Sequence, residues 1–121
     1  MKSSAKLKLP EKMVRKILDL STAHITNDDS AILDSYADSG ADRITKYPSQ
    51  ALVVYPHAEY GYLVSCSQSG CELRDTLQNM SVAGFSKEFI AIFEAAATQG
   101  MAYILLDRDA PQCEELPVFD W

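Results

Sequence analysis

Ser86 to Leu106 constrains the fold of this chain more than any other stretch. Ser86 reads as a helix N-cap, and Phe85 before it is placed to staple to Ile90. Phe89, Ile92, Phe93 and Ala96 then recur at helical spacing, and Gly100 is a C-terminal stop. Tyr103–Leu106 (YILL) follows at once as an apolar strand. A capped helix running straight into a strand calls for a sheet with helices packed on it.

The other elements are weaker but consistent. The segment KILDLSTAHI predicts a strand over about 16–24, preceded by a short helical or extended arm. Thr26 with an acid three residues later is a helix start, and Asp28 and Asp29 suit the positive end of the helix dipole. Ile32, Leu33 and Tyr36 form the buried side of that helix, and Gly40 lies near its stop. ALVVYP (51–56) and YGYLVSC (60–66) are β-rich runs joined by a hairpin-length loop. Residues 71–80 predict a short helix with Leu73 and Leu77 inward. LPVFDW (116–121) predicts a last strand. The order is β-α-β-β-α-α-β-β. It implies an α+β domain: a mostly antiparallel sheet of about five strands, with two or three helices packed on one face.

Charge divides the chain in two. Residues 1–16 carry Lys2, Lys6, Lys8, Lys12, Arg15 and Lys16 against a single acid, Glu11, so this basic arm is close to +5. The remaining residues carry five basic and sixteen acidic side chains, close to −11. The expected organisation is a basic arm over 1–15 and one acidic domain over 16–121. At 121 residues, roughly two-thirds of the unfolded surface can be buried, enough for one core. No apolar run approaches the ~18 residues of a membrane span, and no apolar segment follows the basic N-terminus as in a secretory signal. Three cysteines, an odd number, fit reduced thiols in a cytoplasm. Cys66 and Cys71 are close enough in sequence to close a short loop.

Two stretches carry a resemblance. One is Ser21-Thr22-Ala23-His24-Ile25-Thr26 with Asp28 or Asp29 and Leu33. The other is Gly84-Phe85-Ser86, then Leu106-Asp107-Arg108-Asp109 and Leu116-Pro117-Val118-Phe119-Asp120-Trp121. With Tyr60-Gly61-Tyr62, they look like a family of small proteins of unknown function carried on bacterial plasmids, integrative elements and related mobile DNA. The pattern spans roughly 18–121, with the arm outside it. The resemblance implies a bacterial cytoplasm and an accessory gene, and no activity.

Several residues invite chemistry, and each has a plainer role. His24, with Ser21 and Thr22 on the same segment, could be a general base; it could equally be a polar residue beside a cap. His57 reads as a loop residue. Two histidines without a cysteine or carboxylate at ligand spacing make no zinc signature. Cys71 could open a helix whose dipole favours a thiolate, whereas Cys66 alternates with Tyr62 and Val64 and reads as core. Cys113 reads as incidental. Asp107 and Asp109 could flank a cation, yet Asp-Arg-Asp before Ala-Pro is ordinary turn chemistry. Phosphate-binding and hydrolase motifs are absent, and no cofactor or metal is expected.

The acidic surface carries the leading expectation. Asp34, Asp38 and Asp42 recur every four residues, and Asp28 and Asp29 lie upstream. They suit either a solvated surface or a face that binds a basic protein. The expected function is a small interaction protein of a mobile element, inhibiting a host defence complex through that face, and more a binder than an enzyme. One alternative is nucleic-acid binding through Lys2, Lys6, Lys8, Lys12, Arg15 and Lys16. Another is a small enzyme around His24, Asp107 and Asp109. A homodimer through the C-terminal strand, with Phe119 and Trp121 at its seam, is also open.

Overall fold

The computed structural model describes residues 7–38, 51–57, 61–66 and 70–119. Among its described residues the arm contains a 3-10 turn, Glu11–Met13, that buries no residue. Strand β1 is Lys16–Leu20, followed by a 3-10 turn at Thr22–His24 and helix α1, Asn27–Asp38. Strands β2 (Val54–His57) and β3 (Gly61–Ser65) precede helices α2 (Gly70–Ala83) and α3 (Lys87–Thr98). Strand β4, Met101–Asp107, is the last.

Among the described residues the sheet has four strands in the order β1-β4-β3-β2. β2 and β3 pair antiparallel, as do β3 and β4, but β1 and β4 are parallel. The architecture is α+β as expected, and the sheet is mixed: two of its three pairings are antiparallel, as most were expected to be, and one is parallel. The fifth strand expected at 116–121 does not form over Leu116–Phe119, and its last two residues lie outside the described ones. Pro117 has no N–H to offer a ladder. The segment is instead tied at single points, by Phe119 N–H to Ala23 O at 2.8 Å and by the ring of His24. The first strand stops at Leu20 rather than 24, because Ser21 caps the following turn through Ala23 N–H at 3.1 Å.

Strand alternation sorts the sheet into two faces. On the inner face Leu20, Leu106 and Tyr62 lie in one rung, and Leu18, Ile104, Val64 and Val54 in the next. These side chains share one cluster with Leu33 of α1, Met80 of α2, and Phe89, Ile92, Phe93 and Ala96 of α3. Full burial of each large side chain stabilises by about 1.5–3 kcal/mol. Phe85 meets Phe89 at a tilt, with centroids 5.4 Å apart, so the residue before the Ser86 cap is fixed against the first turn. Gly84 (φ 102°) and Gly100 (φ 85°) take left-handed conformations at the two ends of α3. Pro56 sits in β2, an edge strand, where its missing N–H is tolerated.

On the outer face Asp19, Leu105, Leu63 and Tyr55 form one rung, and Ile17 and Tyr103 lie beside Ser65 in the next. None of these residues is buried.

Candidate functional site

Helix α1 carries the exposed acids. Asn27, Asp28, Ala31, Asp34 and Ser35 are all exposed, and the last turn holds no basic residue. Asp38 ends the helix four positions beyond Asp34. Asp42 lies outside the described residues. No ion pair among the described residues involves Asp28 or Asp34. Asp34 is anchored from below: the Tyr62 hydroxyl of β3 donates to its Oδ1, and Ser30 Oγ lies 2.9 Å from the same hydroxyl. The carboxylate stays at the surface while its position is fixed by the sheet.

Asp29, the neighbour of Asp28, does not belong to that surface. It is fully buried. Thr26 N–H donates to Asp29 Oδ2 and Asp29 N–H to Thr26 Oγ1, both at 3.0 Å, the reciprocal capping box read from the sequence. The same carboxylate also accepts from Ser86 N–H (2.8 Å, to Oδ1) and Ser86 Oγ (2.6 Å, to Oδ2). Ser86 Oγ in turn accepts from Phe89 N–H at 3.1 Å. The N-termini of α1 and α3 therefore converge on one carboxylate, the favourable arrangement for both helix dipoles. This corrects the expectation of a protein-binding role at Asp29: its oxygens are engaged inside the fold.

His24 is likewise buried and fully engaged. Cys113 N–H donates to Nε2 at 2.8 Å, so Nε2 is unprotonated and the proton sits on Nδ1. Nδ1–H donates to Pro117 O, also at 2.8 Å. Neither nitrogen is left to take a proton from a substrate, so His24 is not placed as a general base. It clasps the C-terminal segment onto the Thr22–His24 turn. Cys113 Sγ points away, to Glu115 Oε1 at 3.5 Å, so no thiol–imidazole couple exists here. The clasp sets one wall of an apolar groove of about 440 Å³, lined by Lys87, Ala91, Ile92 and Ala95 of α3 with Leu116 and Pro117.

The hydrogen bonds of His24 reach neither Asp107 nor Asp109. Asp107 Oδ1 accepts from Asp109 N–H at 3.0 Å, and Ala110 N–H donates to Asp107 O, the turn chemistry of the plainer reading. Asp109 is exposed beside Arg108. Among the described residues, no three His, Cys, Asp or Glu side chains are grouped to hold a metal. Cys66, Cys71 and Cys113 are all free thiols. Cys71 lies exposed in the first turn of α2. Cys66 is buried, its thiol 3.3 Å from Met101 O, and burial pushes its pKa up to about 11.

One pairing escaped the sequence reading. His57 Nε2 lies 3.9 Å from Asp107 Oδ2, although β3 separates their strands. Gly61 is the residue between them, paired with His57 on one side and Asp107 on the other. Without a side chain there, the two groups meet over the sheet. The hairpin spacing of β2 and β3 pairs His57 with Gly61 from sequence; Asp107 needed the register of β4.

Of the arm, Lys8, Lys12, Arg15 and Lys16 are exposed, while Lys2 and Lys6 lie outside the described residues. No helix among the described residues is long and apolar enough to cross a membrane. Neither the curated proteins nor the solved structures hold a match to the chain. A family model does match, covering residues 17–121 and leaving the arm outside, as the short motifs suggested. The chain thus belongs to the family described as "Family of unknown function (DUF5983) C-terminal domain".

Proposed function

We propose that this protein is an interaction module whose α1 surface binds a basic partner. The observation that carries the reading is the exposed carboxylates of Asp28 and Asp34 on a helix that ends at Asp38 without a basic residue in its last turn. The surrounding body is strongly acidic, which favours fast, salt-sensitive association with a basic surface. Asp34 held by Tyr62 gives that surface one pre-positioned charge. The concrete form of the reading is a cytoplasmic inhibitor of a host defence complex, encoded on a plasmid or other mobile element. Its acidic face would occupy a basic surface of that complex.

The test replaces Asp28 and Asp38 with lysine and leaves Asp34 intact, because Asp34 also holds Tyr62. Pull-downs from host lysate compare the wild type, D28K/D38K and a chain lacking residues 1–15, each at low and high salt. The expected result is a salt-sensitive protein retained without the arm and lost on charge reversal. Retention by D28K/D38K would overturn the reading. A second reading, nucleic-acid binding through the arm, is favoured by the exposure of Lys8, Lys12, Arg15 and Lys16. Its signature in the same experiment is nucleic acid recovered only when the arm is present.

A further inference from the structure

Among the described residues, two parts of this chain expose apolar surface. In the arm, Leu7, Leu9, Met13 and Val14 are 72, 68, 69 and 60% exposed. Lys8, Lys12, Arg15 and Lys16 are interleaved with them. On the outer sheet face, Ile17, Tyr55 and Val53 are 52, 42 and 40% exposed, around half-buried Leu63, Leu105 and Tyr103. The charges on that face include Asp19 on β1 and Asp107 at the end of β4. The arm leads directly into Lys16, the first residue of edge strand β1.

We infer that the outer sheet face is the docking surface for the arm of a second copy of this chain, exchanged reciprocally in a two-fold dimer. Charge complementarity selects this occupant: the arm is close to +5 and the body close to −11. The apolar residues match as well, since Leu7, Leu9, Met13 and Val14 can lie over Leu63, Leu105 and Tyr103 while the lysines reach the acidic positions. A lipid surface could take the arm but would leave the sheet face bare. A second copy covers both, and covers them twice, because a two-fold contact is self-complementary. The acidic face of α1 stays outside this contact, so the dimer is independent of the proposed partner surface.

Sedimentation velocity on the full chain, over a concentration series at low and high salt, tests the inference. The expected result is a dimer that weakens as salt rises. M13E in the arm and L63K on the face should each raise the dimer Kd by at least about tenfold. An equal mixture of the two variants should associate more tightly than either alone. That heterodimer keeps one intact arm on one intact face. Thermal melts establish that each variant is folded; if L63K is not, Y55K at the more exposed edge takes its place. A wild type monomeric at every concentration, variants as tightly dimeric as wild type, or a mixture no tighter than its components would each overturn the inference. Co-sedimentation of a monomeric chain with phosphatidylserine vesicles, lost in M13E, would overturn it too and assign the arm to a lipid surface.

Discussion

The two faces of the sheet treat polar groups in opposite ways. Toward the helices, His24, Asp29 and Ser30 are buried, and each is tied to a partner from a distant part of the chain. Away from the helices, Asp19 and Tyr55 are exposed and Tyr103 is half-buried, beside Ile17 and Leu63. An unpaired buried polar group costs more than a made hydrogen bond gains. Each buried group on the inner side therefore specifies one arrangement of the elements around it. The outer side specifies little beyond strand register.

Asp29→Ala is the strongest way to break this contrast. It strands Thr26 N–H, Ser86 N–H and Ser86 Oγ together, and it loosens the caps of α1 and α3 at once. The expected loss is about 3–5 kcal/mol in urea unfolding. Asp28→Ala, one residue away and exposed, should stay within about 0.5 kcal/mol of wild type. Similar losses for the two variants would remove the distinction between a buried joint and an acidic surface.

Cys66 gives a titratable version of the same contrast. Its thiol is buried on the inner side, and its pKa is raised from 9.0 to about 11. A raised value means that the folded state holds the proton more tightly than the unfolded chain. This contribution is fully present below pH 9 and is lost as pH rises through about 11. It amounts to about 2–3 kcal/mol in all. Stability measured across that window should fall more steeply for wild type than for Cys66→Ala, which keeps exposed Cys71 and half-buried Cys113 as internal controls. Parallel slopes would mean that burial does not raise the Cys66 thiol above its unfolded value.

What the sequence revealed follows from how far each signal reaches along the chain. Both caps, the Thr26–Asp29 box and Ser86, were legible because their partners lie three residues away. The stripe of α3 was legible for the same reason. The meeting of the two caps was not, since Asp29 and Ser86 are 57 residues apart and each looked complete alone. The parallel pairing of β1 with β4 was hidden likewise, as hairpin spacing informs only on neighbouring strands. His24 looked free for chemistry because its partners, Cys113 and Pro117, lie about ninety residues on. Of the acids expected on that surface, Asp28 and Asp34 are exposed, whereas Asp29, an acid suited to a helix dipole, turns inward to serve two helices.

Gly61→Ala tests the outer face where it should be least tolerant. A Cβ at Gly61 would lie 2.7 Å from Leu106 O and 2.8 Å from His57 O, both backbone atoms of flanking strands. It would also crowd His57 Cδ2 at 3.3 Å, where the ring crosses toward Asp107. Relief requires β2 and β4 to move apart or the His57 ring to turn away. Crowding of this kind costs about 1–3 kcal/mol, against less than about 0.5 kcal/mol for ordinary surface changes such as Arg108→Ala. The His57–Asp107 contact should open in the variant, read as a change in the His57 imidazole chemical shift. A wild-type melting curve with an unchanged His57 chemical shift would mean that the strands yield at Gly61 without strain.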